Sequence, residues 1–242
     1  MERVLGQPMR LDLVLSKEVR LDKSVAQDSL DLARIGALDF LRARQANPQL
    51  VALAQENAPK DAVIFALTRS GITNLSQVRS IAFADTNSTI SAWAKVFLVR
   101  EGIRGVNLQR YADLPSGVTN LYAHREAVKA VLAGQFDAGV ARPSQLTSEV
   151  GVEGRDWVAL LRFDSSQTLW AAGGGVSAPV RAAFKTVLLE LAQQQQNLAL
   201  PDRVQNLIAV DAKILLELEE ALERDLRLFN APAATEPERK AP

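Results

Sequence analysis

Asn87, Ser88, Thr89 and Ser91 crowd an amide and three hydroxyls into the stretch FADTNSTISAW, Phe83 to Trp93. An apolar run precedes them and an amphipathic run follows, so the cluster marks the passage from a strand into a helix. At such a junction the first backbone N–H groups lack intrahelical acceptors, and the positive end of the helix dipole points outward. Short hydroxyl donors beside those groups suit an oxyanion such as phosphate, phosphonate, sulfonate or carboxylate. A helix start needs only one of these residues as a cap, and spacing alone leaves that plainer alternative open. His124 is the only histidine. It falls in the first turn of a second expected helix, three residues before Ala127 and four before Val128, so it faces inward with them. An imidazole there can donate to an anion, or serve as a cap or packed side chain.

Composition narrows the classes. The 242 residues suit one large domain or two lobes, and 48% hydrophobic residues imply a packed core. Lys+Arg and Asp+Glu balance at 28 each, which argues against a nucleic-acid partner or a polybasic membrane binder. Without cysteine there is no disulfide, thiolate catalysis or cysteine-held metal. No apolar run reaches the ~18 residues of a membrane span, and MERVLGQPMR lacks the apolar centre of a signal peptide. Neither a G-x-S-x-G nor an H-x-x-x-H pattern is present, and Gly173–Gly175 lacks the spacing of a nucleotide loop. No catalytic set or cofactor is expected. With Tyr111 and Tyr122 the only tyrosines to join His124, a metal site ranks low.

The elements that must position these residues follow from periodicity. MRLDLVLS alternates as a strand and Asp22 to Leu30 reads as a short helix. LARIG is a strand ending at Gly36, ALDFLRARQA a helix stopped by Asn47-Pro48, and LVALA and AVIFALT are buried strands. SGITNLSQVRS turns and enters the strand IAFA. A helix spans Ser88 to Glu101, with Ile90, Trp93, Ala94, Phe97 and Leu98 on one face and Gly102 as its stop. VNLQRYA, FDAGVA, WVALLRF and TLWAA are strands, and REAVKAVLAG is a helix. Helices over Ala178 to about Leu198 and Asp211 to about Phe229 close the chain, Gln193–Gln196 being an exposed helix end. The tail NAPAATEPERKAP is expected to be disordered. Alternating strands and helices predict an α/β fold with mostly parallel sheets, whose ligands sit beyond the carboxyl ends of strands.

DTNSTIS followed by HREAVKAVLAGQFDAGVA resembles the second lobe of the phosphate/phosphite/phosphonate-binding proteins, the periplasmic substrate-binding components of ABC transporters. The family pattern is an Asp-x-Asn-Ser-Thr-Ser helix start, a His opening a later helix, and Gly-x-x-Asp at a strand start. SLDLARIGALDFLRA, RSGITNLSQVRS and IAVDAKILLELEEALERDLRLF resemble further family segments, so the likeness covers roughly 5–229. It implies the type 2 periplasmic-binding fold: two lobes, a hinge, and a small anion held between them for delivery to a membrane permease. Lobe one would comprise 1–68 and 160–229, lobe two 69–159, and 230–242 the tail.

The resemblance makes Ser88 and Thr89 oxyanion-gripping hydroxyls and His124 a ligand contact. Ile90 stands where the family has a third hydroxyl, leaving only its backbone N–H, and Ser91 lies about 100° further round the helix. Asp137 would receive an amine or hydroxyl of the ligand, or else simply cap amides at its strand end. On the lobe-one side, Arg34 and Lys60 stand where family members often carry aromatics. They would add positive charge or sit as solvated surface, and Gly36 and Ala37 would offer backbone N–H groups. The implied function is non-enzymatic capture of a phosphate- or phosphonate-like anion in the periplasm. The alternative is a sensory domain of the same fold in a signalling protein. The likeness also implies that a first strand and helix are missing here, MERVLG being the last turn of that helix.

Overall fold

The computed structural model describes residues 6, 23–24, 27, 29–56, 61–84, 88–114, 123–165, 168–193, 207–210 and 212–232. The expected strand MRLDLVLS lies outside the described residues. So do most of the helix expected over Asp22 to Leu30, all of the turn MERVLG but Gly6, the run after Gln193 and the tail from 233. The chain divides into two compact units, Met1–Asp61 with Asp164–Glu219, and Ala62–Phe163 with Glu220–Pro242.

The first unit holds β1 (Leu32–Gly36), α1 (Ala37–Ala46) and β2 (Val51–Glu56). After the chain's excursion it adds β8 (Thr168–Ala172), α5 (Ala178–Gln193) and β9 (Leu207–Ala209). Its sheet order is β1-β8-β2-β9. Leu53, Ala54, Ala172, Leu188 and Leu207 form its core, with Phe184 and Leu189 of α5 packed against it. Asn47 stops α1, since the Pro48 that follows disfavours helical geometry at that residue.

The second unit holds β3 (Asp61–Leu67), β4 (Ser80–Ala84), α2 (Thr89–Arg100), β5 (Arg110–Leu114), α3 (Ala123–Leu132), β6 (Ala138–Ala141), α4 (Pro143–Glu149) and β7 (Trp157–Asp164). The order is β5-β4-β6-β3-β7. Ala127, Val128 and Val131 of α3 pack on Phe65, Ala82, Ala141 and Trp157, as the apolar spacing of that helix requires. Gly102 (φ 79°) and Gly134 (φ 70°) end α2 and α3 in the left-handed conformation that glycine adopts without strain.

The α/β class stands, but the strands do not follow the expected mostly parallel pattern. β8 pairs antiparallel with β1 and β2, β9 with β2, and β6 with β3, whereas β4 pairs in parallel with β5 and β6. An apolar run reports burial on both faces, not direction. β8 enters the first sheet between β1 and β2 running opposite to both. The strand expected across VNLQRYA is shorter, because Gly105–Asn107 makes a 3-10 turn before β5. A Cβ on Gly105 would meet the Phe229 carbonyl oxygen at 2.7 Å, so the turn fits only a glycine. Helix α4 and strand β9 add to the expected elements.

The division between the two units falls within the closing helix, α6 (Ala212–Asn230). The sequence reading placed all of 160–229 in lobe one. The last part of α6 belongs to the second unit, where Phe229 is fully buried and meets Phe83 and Tyr111 edge-on, at 5.6 and 5.2 Å between ring centroids. Lys95 of α2 completes this nest. Its ammonium pairs with Asp113 at 2.7 and 2.8 Å and lies 4.8 Å from the centre of the Phe83 ring. Helix α2 is consequently buried nearly all round rather than on the one face its spacing predicted. Phe229→Ala should destabilise the protein by about 3–5 kcal/mol, whereas Leu216→Ala, at an exposed position of the same helix, should cost under ~0.5 kcal/mol. Denaturant unfolding of both variants measures the contrast; equal losses would place Phe229 outside the core.

Candidate functional site

Two helix starts in the second unit bring the sequence-predicted residues together. Ser88 caps α2: its Oγ accepts from the Ser91 N–H at 3.3 Å, while its backbone carbonyl accepts from Ala92. His124, the second residue of α3, places Nε2 3.3 Å from the same Ser88 Oγ. Its other ring nitrogen, Nδ1, lies 3.3 Å from the carbonyl oxygen of Val140 in β6. A carbonyl only accepts, so Nδ1 carries a proton and donates. In the neutral ring Nε2 is then the lone-pair nitrogen, and the Ser88 hydroxyl donates to it.

Thr89 and Ile90 are the first two residues of α2, and their N–H groups have no acceptor within the helix. The Thr89 hydroxyl has no hydrogen-bond partner among the described residues. The Ile90 side chain is buried, so only its backbone is available. Ser91 is buried too, and its Oγ donates back to the Ala84 carbonyl at 3.4 Å, which holds the β4–α2 junction instead of facing a ligand. Asn87 and Lys60 lie outside the described residues.

Asp137 does not join the cluster. Its Oδ2 accepts from the N–H groups of Arg79 and Ser80 at 2.9 Å each, and its own N–H donates to the Ser80 Oγ. These contacts lie where β4 and β6 begin, whereas Ser88 and Val140 lie toward the ends of those parallel strands. The amide-capping role is the one observed. Arg34 is likewise engaged: its Nε and Nη2 donate to the two carboxylate oxygens of Glu56, at 2.5 and 2.8 Å, and Glu56 is buried. That bidentate pair neutralises the charge expected to face an anion. Gly36 caps α1 without a side chain, and Ala37, first in α1, is fully buried.

Burial governs the imidazole. Loss of hydration lowers the His124 pKa to about 4, Arg142 adds to the fall, and the Val140 carbonyl opposes it. Arg142 was not anticipated, although the Arg-Pro at the end of FDAGVARPS carries the signature of proline at the first position of a helix. The Val140 carbonyl, a backbone group, has no sequence signal at all.

The family profile described as ABC transporter, phosphonate, periplasmic substrate-binding protein matches residues 1–213. The chain belongs to this family. No curated protein sequence matches this phosphonate-family binding protein. Solved structures share its fold. PhnD1 from Prochlorococcus marinus (MIT 9301), in complex with methylphosphonate, superposes with a TM-score of 0.65 at 18% identity, covering 93% of this chain and 89% of its own. XAC2383 from Xanthomonas citri, bound to ATP, gives 0.68 at 17%, covering 86% and 83%. The periplasmic aliphatic sulphonate binding protein SsuA from Escherichia coli gives 0.62 at 18%, covering 86% and 79%.

Two outcomes follow for the binding protein. Asp137→Ala should cost about 1–3 kcal/mol of stability in chemical unfolding, because two strand-end N–H groups lose their acceptor. An unchanged midpoint would mean that the carboxylate does not pin the strands. The depressed His124 pKa means that the unfolded chain binds the extra proton first as pH falls. Stability is therefore fully present above about 6.5 and declines as pH drops from there toward 4. His124→Asn should flatten that part of the stability–pH curve, and an unaltered curve would assign the dependence to other groups.

Proposed function

We propose that this chain is a periplasmic solute-binding protein that captures a small tetrahedral oxyanion at the starts of α2 and α3 and hands it to the permease of an ABC transporter, without turnover. Membership of the family supports the class of function. The carrying observation within the molecule is the meeting of Ser88 and His124, at 3.3 Å, beside the first N–H groups of α2 and the Thr89 hydroxyl, which has no partner among the described residues. The backbone N–H groups and the Thr89 hydroxyl are donors, and their place at a positive helix end favours negative charge. Relatives of the same fold are described with methylphosphonate or as binding aliphatic sulphonates, which are both tetrahedral oxyanions. Asp137 and Arg34 are left out of the proposed site because each is spent on a partner of its own.

Inorganic phosphate, methylphosphonate and methanesulfonate should be screened by thermal shift and calorimetry. A bound anion at 100 times its Kd should stabilise the protein by about 2.7 kcal/mol. Thr89→Ala should weaken binding by ~1–3 kcal/mol, as expected for loss of a donor to a charged group. Full affinity in both Thr89→Ala and His124→Ala would place the ligand elsewhere, and steady hydrolysis of a phosphorylated compound would make the protein an enzyme.

A further inference from the structure

The Ser88 hydroxyl has one proton, and in the neutral site that proton is committed. The Val140 carbonyl fixes the His124 proton on Nδ1, so Nε2 must accept, and Ser88 Oγ is the donor that reaches it. The Ser91 N–H occupies the acceptor side of the same oxygen. An incoming oxyanion therefore meets lone pairs at Ser88 and at Nε2, although the adjoining Thr89 hydroxyl and helix N–H groups favour it. One proton added at Nε2 changes this. The imidazolium then donates at both ring nitrogens, and the Ser88 hydroxyl is released to turn toward the ligand.

We infer that the Ser88–His124 pair selects oxyanions that bring a proton with them, such as the monoanion of a phosphonate or phosphate, over those that cannot, such as a sulfonate. The P–OH of the monoanion gives its proton to His124 Nε2: the ligand O–H bond breaks, an N–H bond forms, and a dianion is left beside an imidazolium. The Ser88 O–H, freed from Nε2, donates to one of the ligand's oxygens. A sulfonate has no such proton at neutral pH, so His124 must draw one from solvent, and the complex then holds a monoanion, not a dianion, beside the imidazolium. Among the described residues, Arg142 is the charged group acting on the ring, and it opposes protonation in the empty site. Its neighbours on α3 are occupied, Arg125 with Glu149 and Glu126 with Lys129. A dianion would offset the Arg142 charge and stabilise the imidazolium.

This inference rests on the oxyanion-binding reading above, and one experiment separates the two. Because the chain has a single histidine, 15N-histidine labelling gives one imidazole, whose two nitrogen shifts report tautomer and charge. At pH 7 the ligand-free protein should show the neutral Nδ1–H tautomer, and saturating methylphosphonate should convert it to imidazolium. Methanesulfonate affinity should rise about tenfold per unit as pH falls from 7 to 5, while H124Q removes that slope. At pH 7 methylphosphonate should bind more tightly than methanesulfonate. A neutral imidazole in the methylphosphonate complex, or a pH-independent methanesulfonate affinity, overturns the inference alone. If neither anion moves the Thr89 and Ile90 amide resonances at pH 7 or pH 5, the oxyanion reading fails and the inference falls with it.

Discussion

The parallel pairing of β4 with β6 is the constraint on which the site depends. Ile81 sits beside Ala138 and Ala82 beside Gly139, so the two strands end together. Helix α2 starts soon after one end, and the Val140 carbonyl lies near the other, where it holds His124. A slip of one residue in this register would turn every side chain of a strand to its other face. It would also move Val140 out of line with Ser88. Asp137 pins the opposite end of the pair through the Arg79 and Ser80 N–H groups. The role of Asp137 is therefore positional: it pins the start of β6, whose Val140 carbonyl, three residues later, holds His124.

Packing allows the strands to approach this closely. A Cβ on Gly139 would lie 2.9 Å from both Phe65 and Val131, so the helix and the neighbouring strand close over β6 only because that position is bare. The Lys95–Asp113 pair plays the matching role for α2. It fixes a helix that has almost no solvent face, and it does so with a charge whose partner oxygens and aromatic neighbours are all supplied from within the same unit. Losing either partner of such a pair would leave an uncompensated buried charge. Two rigidly held helices can keep a hydroxyl and an imidazole within hydrogen-bond reach when no ligand spans them.

Burial also decides the chemistry of the pair. A solvated histidine would be partly charged near neutrality and would donate freely. His124, half-buried against Val140 and facing Arg142, stays neutral, and the direction of its bond to Ser88 follows from which nitrogen Val140 claims.

Much of this was legible in the sequence. Apolar periodicity located β1, α1, β3, β4, α2 and α3, because one-sided burial imposes a period of two or 3.6 on any sequence that achieves it. The polar cluster from Ser88 and the lone His124 marked helix starts, since caps are chosen for local hydrogen bonding. The family pattern joined those two starts into one site. Strand direction, the placement of the end of α6 beside Phe83, and the partners of Asp137 and Arg34 were decided only by the tertiary fold. Glu56 lies twenty-two residues from Arg34, and Arg79 fifty-eight from Asp137. An ion pair or cap formed over such a separation leaves no local pattern, so a charged residue intended for a partner and one intended for a ligand look alike until the chain is folded.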